Sequence, residues 1–143
     1  MKNKKALSGQ SLIEFVFIFP IAIFLITGFL DLGRAVFYYS SLTNAVREAT
    51  RSAIVMDLAD NNINQSIIDQ VKSYSFGLEK AKIEINDDDI DIQKDSRNKF
   101  STVSVTARYK FNPVTPFIAR LLGGSDYIEL VVQSQMRVSP ISY

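Results

Sequence analysis

The order of apolar and polar positions divides the chain into a membrane-like stretch and a soluble one. Residues 12 to 30 are almost wholly apolar, running through Leu12, Ile13, Phe15 to Phe19, Ile21 to Ile26, Phe29 and Leu30. From Asp31 onward the pattern turns periodic. Ala35, Tyr39, Leu42, Val46, Ala49, Ala53 and Met56 recur at alternating spacings of four and three, which places them on one face of a helix. Neither Pro nor Gly interrupts residues 35 to 57. The two stretches therefore predict one continuous helix from about residue 11 to 57, roughly 70 Å long at ~1.5 Å per residue. Asp60-Asn61-Asn62 breaks it and offers an N-cap. Ile63, Ile67, Ile68 and Val71 then make a second amphipathic helix to about Ser75, stopped near Gly77.

Period-two patterns follow. Lys82 to Asn86 reads as a strand with Ile83 and Ile85 inward. Phe100 to Phe111 gives the clearest alternation. Val103, Val105, Ala107, Tyr109 and Phe111 share one face, and Thr102, Ser104, Thr106, Arg108 and Lys110 the other. Asn112-Pro113 predicts a short helix through Leu122, ended by Gly123-Gly124. Ile128 to Val138 reads as a last strand with Ile128, Leu130, Val132, Met136 and Val138 inward. A sheet of about three antiparallel strands with one apolar face needs a cover, and the 35 to 57 stripe supplies it. The expectation is an α+β lollipop, a long N-terminal helix on a small antiparallel sheet.

Composition narrows the chemistry. The 143 residues include no Cys and no His, which removes Ser–His and Cys–His catalysis and zinc sites built on those ligands. A formal charge of +1 argues against a nucleic-acid partner. The balance hides an asymmetry. Lys2, Lys4 and Lys5 precede the apolar run, and without them 13 basic residues face 15 acidic ones. No phosphate-cradling glycine loop appears, so the chain is not read as an enzyme and no cofactor is expected.

Nineteen helical residues span roughly 28 Å, close to the ~30 Å of a hydrocarbon core. The lysines ahead of the span predict a cytoplasmic N-terminus and an extracytoplasmic C-terminal domain. Three readings compete for this segment. A cleaved signal peptide would need a shorter apolar run, and Gly33-Arg34-Ala35 is a poor cleavage site. A plain single-span anchor carrying an extracytoplasmic binding domain fits the length but leaves Glu14 unexplained. A carboxylate costs ~2.5 to 3.5 kcal/mol at mid-membrane, and less near the edge, where it can reach the headgroups.

The third reading uses the whole pattern. Lysines lead to Gly9, then Gln10-Ser11-Leu12-Ile13-Glu14-Phe15. A basic leader ending in Gly, with Glu fifth after it, resembles the prepilin class, whose peptidase cuts after that Gly on the cytoplasmic side. Cleavage would expose the α-amine of Gln10, cationic up to ~7.7 to 8.0. Glu14 is its i,i+4 neighbour within one helix, and a natural partner for the amine of another subunit. More closely, four runs resemble the TadE-like family of the tight-adherence pilus. They are Gly9 to Phe15; Pro20, six residues after Glu14; Asp31-Leu32-Gly33-Arg34; and Asn44-Ala45-Val46-Arg47-Glu48-Ala49-Thr50-Arg51. The resemblance covers about residues 9 to 55. It implies a minor pilin or pseudopilin with a leader at 1–9, a transmembrane and assembly helix at 10–33, and an extracytoplasmic domain at 34–143. It also implies partners: prepilin peptidase, other pilins, the inner-membrane platform and, indirectly, an assembly ATPase, with membrane lipid around the span.

The remaining candidates are local. The resemblance implies that Gly9 and Gln10 form the processing site and that Glu14, Phe15 and Pro20 serve assembly. Pro20 lacks an N–H and crowds the carbonyl of Val16, so a kink or local unwinding is expected. Asp31 and Arg34 are i,i+3 at the outer membrane surface, either an ordinary surface pair or a subunit contact. Asp87, Asp88, Asp89 and Asp91 form an acidic run. Asp87, Asp89 and Asp91 could attract calcium, but Ile92 and Asn98 stand where an EF-hand needs Gly and Glu, and a solvated turn is the simpler expectation.

Overall fold

A computed structural model describes residues 5–94, 100–115, 120 and 126–137. Lys2, Lys4, Val138 and, within the helix expected over 112–122, residues 116–119 and 121–122 lie outside the described residues. Residues 112–115 are not helical.

Helix α1 runs without a break from Lys5 to Ala53. It ends four residues before the expected 57. Val55 N donates to Ser52 O and Met56 N to Ala53 O, so the last turn tightens to i−3 bonds and the chain peels away. Asp57 and Asp60 then take over the backbone. Their carboxylates accept from the N–H groups of Ala59 (3.0 Å) and Asn62 (2.9 Å). Asn62 heads the next helix but makes no side-chain cap bond; the Asp60 carboxylate instead accepts the N–H of Asn62 itself in an Asx turn that leads into the helix.

Helix α2 (Ile63–Tyr74) buries Ile63, Ile67, Ile68 and Val71, the stripe the sequence predicts. It packs back on α1. The reversal after it needs Gly77, at φ 75°, where a Cβ would sit 3.0 Å from the Phe37 ring. Ser41 Oγ donates to Phe76 O (2.6 Å) and ties this turn to α1.

Among the described residues the sheet, expected to have about three antiparallel strands, has four: β1 (Ile83–Glu84), β2 (Ile90–Lys94), β3 (Phe100–Phe111) and β4 (Ile128–Arg137). The strand missed by the sequence reading is β2, hidden behind the acidic run. Only Ile90 and Ile92 carry its inward pattern, and polar residues surround them. The 12-residue β3 organises the rest. One of its edges pairs with β4 over Thr102–Phe111. The other pairs with β2 and, further along, with the two-residue β1. Val103, Val105, Ala107, Tyr109 and Phe111 are buried, as their alternation requires. One position breaks the pattern. Ser104, on the opposite face, is only 7% exposed, and its hydroxyl accepts from Gln133 Nε2 (3.0 Å) across the strand pair.

The covering stripe on α1 is wider than predicted. Leu42, Ala45, Val46, Ala49, Thr50 and Ala53 are buried, because α1 packs against β3 and β4 and also against α2. Tyr39, predicted inward, is exposed. Its neighbour Tyr38 packs edge-on against Tyr109 and Phe111, with centroids 5.5 and 5.8 Å away.

Candidate functional site

The first half of α1 finds no cover. From Leu12 to Leu30 its large apolar side chains are exposed, and none of its most apolar window is buried. A soluble protein would not leave so long an apolar surface in water. This is one helix long and apolar enough to cross a membrane, which suggests a single span.

At its start Gly9 lies within the helix, exposed, with nothing within 4 Å of where a Cβ would be. Gln10 and Glu14 are one turn apart, and Gln10 Nε2 donates to Glu14 Oε1 (3.3 Å). Both are exposed. Phe15 and Phe19 stack on the same flank with centroids 5.1 Å apart. The helix continues through Pro20, so the local unwinding expected there does not occur. Further up, Thr27 Oγ1 lies 3.0 and 3.1 Å from the carbonyl oxygens of Ile23 and Phe24 and donates back to the preceding turn.

Asp31 and Arg34 do form the expected i,i+3 pair (3.1 Å), but Asp31 is not a surface residue. It is 4% exposed. Its two oxygens also accept the backbone N–H groups of Val114 (3.0 Å) and Thr115 (2.6 Å), in the turn that follows β3. Residues 83 and 84 positions apart are thus held by one carboxylate. Spacing along the helix shows only Arg34; the turn that supplies the other donors is legible in three dimensions alone. Arg34 stays half-buried, with its guanidinium carbon 5.5 Å from the Phe111 ring centroid and 5.8 Å from that of Tyr38. This pair and its aromatic neighbours bolt the span to the sheet. An apolar cleft of about 420 Å³ lies beside the bolt, between Phe24, Gly28 and Phe29 of α1 and Phe111, Pro113 and Ile128 of the domain.

The acidic run is split by its surroundings. Asp87–Asp89 forms a short 3-10 turn. Asp89 accepts from Asn86 N (2.9 Å) and pairs with Arg108 on β3, so it is not the solvated carboxylate expected of the run. Burial pushes the Asp89 carboxyl up, but the Arg108 guanidinium and the Asn86 N–H more than offset it, leaving it below its ordinary value. Asp87 meets Asn64 (3.4 Å) and Asp91 meets Gln93 (2.8 Å). Among the described residues no three carboxylates converge on a point that could hold a cation, so Asp87, Asp89 and Asp91 do not make the calcium cluster considered from the sequence.

The family model described as TadE-like protein matches residues 9–51. No curated protein and no solved structure matches the chain. The matched stretch starts at Gly9 and takes in the uncovered span, the Asp31–Arg34 bolt and most of the buried stripe, so it is along its long helix that the chain is similar to the TadE-like proteins.

Proposed function

We propose that the chain is a minor pilin or pseudopilin of a tight-adherence (type IVc) pilus. In this reading prepilin peptidase cuts after Gly9, the basic leader stays on the cytoplasmic side, and the α+β domain faces outward. The mature helix then assembles with other pilins at an inner-membrane platform. The role is structural, with no reaction of its own. The observation that carries the reading is the coincidence of the TadE-like match with a helix whose first half is apolar and uncovered. A long apolar surface that the molecule cannot bury itself must be buried by something else, lipid first and neighbouring helices in a filament second.

Glu14 supports the reading on charge. It projects from an apolar surface and meets only the amide of its own Gln10 among the contacts above. Once the leader is removed, the α-amine of an incoming subunit could take that place, and an axial register that left either charge unpaired would be disfavoured.

The test is N-terminal sequencing of protein extracted from membranes. A start at Gln10 is expected. A start at Met1 would instead make the chain an uncleaved single-span protein with an extracytoplasmic binding domain. Gly9→Val sharpens the test. Open space surrounds position 9, so the substitution leaves the fold intact and acts only where the peptidase must grip the scissile bond. Gly9→Val protein should keep the mobility of the uncut precursor; variant protein migrating with the processed form would place the cut elsewhere.

A further inference from the structure

The turn after β3 lies alongside the apolar span rather than above it. Val114 lines one apolar pocket with Phe19, Pro20, Ile23, Phe24 and Thr27. Those helix residues precede Leu30, the end of the apolar run, by three to eleven positions. At ~1.5 Å per residue that is roughly 4 to 16 Å along the axis. If residues 12 to 30 cross the hydrocarbon, Val114 cannot sit in bulk water. The residue is nonetheless 71% exposed, so the protein itself leaves most of it uncovered.

Non-helical backbone at membrane depth needs its polar groups satisfied within the protein, because no water is there to do it. This turn meets that demand for its backbone donors. The N–H groups of Val114 and Thr115 both donate to the buried Asp31 carboxylate, and Pro113 has no N–H to satisfy. Arg34 neutralises the carboxylate from above. The cleft next to the turn is lined by Phe24, Phe29, Phe111 and Ile128, so the apolar surface runs from the span onto the underside of the domain. We propose that the turn at residues 113–115 is a second membrane-contacting element, seated in the outer leaflet with Val114 among lipid acyl chains and Asp31 as its internal hydrogen-bond acceptor. This inference rests on the reading of α1 as a membrane span.

The absence of cysteine from the sequence makes the test clean. Three single-cysteine variants of the full chain, Val114→Cys, Ile18→Cys and Val55→Cys, carry an environment-sensitive fluorophore in phosphatidylcholine vesicles. Quenching is measured with lipids spin-labelled shallow or deep along the acyl chain. Position 18, in mid-span, should be quenched most by the deep label. Position 55, exposed at the far end of the buried stripe, should be quenched by neither and should emit as in water. The proposal requires position 114 to be blue-shifted and quenched several-fold more by the shallow label than position 55. If position 18 is quenched while 114 behaves like 55, the turn is in water and the inference is wrong, though the span stands. If position 18 also behaves like 55, the span reading falls and takes the inference with it.

Discussion

The two halves of α1 share one unbroken backbone and obey different solvents. Between Leu12 and Leu30 the apolar residues face every direction, and the molecule covers almost none of them. Between Leu42 and Ala53 they are confined to one broad face, and the sheet and α2 cover it. Each half also carries one carboxylate of interest. Glu14 is exposed and, among the described residues, meets the Gln10 amide of its own helix. Asp31 is buried and satisfied by two backbone donors and a guanidinium. The contrast separates what holds this protein together from what remains available to others. The second half and Asp31 build the monomer, whereas most of the first half, and Glu14 with it, stays exposed among the described residues.

The hardest blow to the comparison would be struck in the sheet that covers the second half. Val105 is fully buried on the helix-facing side of β3. Val105→Asp leaves a desolvated charge without a partner and should cost several kcal/mol, on the order of 3 or more, seen as lost cooperative melting of the full chain in mild detergent. Ser104→Asp is a poor control because Ser104 is itself buried and bonded to Gln133. Val131→Asp serves instead. Val131 is 47% exposed in β4, and its replacement should shift stability by only about 0.5 kcal/mol. Equal melting of the two variants would overturn the facing of the sheet.

Asp31 comes next. Asp31→Asn keeps one oxygen but turns an NH2 toward either the Val114 or the Thr115 N–H. One buried donor then loses its acceptor, at about 1–3 kcal/mol. The melting point should fall, and amide exchange at 114 and 115 should quicken. Unchanged protection at both amides would show that the carboxylate does not hold the turn.

A smaller effect is expected from Asp89. Its folded value lies below the ordinary 3.8, so folding favours the carboxylate. The Asp89–Arg108 pair therefore contributes fully at neutral pH, and its contribution disappears as pH falls from about 4 through the lowered folded value. Asp89→Asn should lower the melting point by a few degrees at pH 7 and by progressively less as the pH falls below about 4. A melting difference from wild type that stays constant across that range would remove the pair from the account.

The smallest change in melting, close to none, belongs to Glu14→Gln, because among the described residues the partner of that carboxylate is the exposed Gln10 amide, which a Gln side chain can also accept from. Cleavage after Gly9 should persist, and membrane insertion should be unchanged or improved. Assembly should fail, read as loss of the protein from sheared pilus fractions. A cleaved Glu14→Gln protein that assembles like wild type would make Glu14 no more than an interfacial carboxylate.

The sequence alone determined the elements whose burial follows a simple period. The apolar run of 12 to 30, the α2 stripe and the alternation of β3 were legible because each repeats one geometric rule along the chain. The Gly9–Glu14 spacing and the TadE-like signature were legible for a related reason, since they are local to one helix. Tertiary structure decided the rest, through contacts that no local period encodes. It packed Tyr38 in place of Tyr39 against the sheet, where Tyr109 and Phe111 of β3 receive its ring. It drew β2 out of an acidic run because an edge of β3 was free to pair with it, and it gave Asp89 a partner 19 residues away in Arg108. It turned Asp31 from one end of a helix-surface pair into the acceptor for a turn 83 residues away. A buried carboxylate needs donors, and the backbone N–H groups that answer it carry no side-chain signature in the sequence.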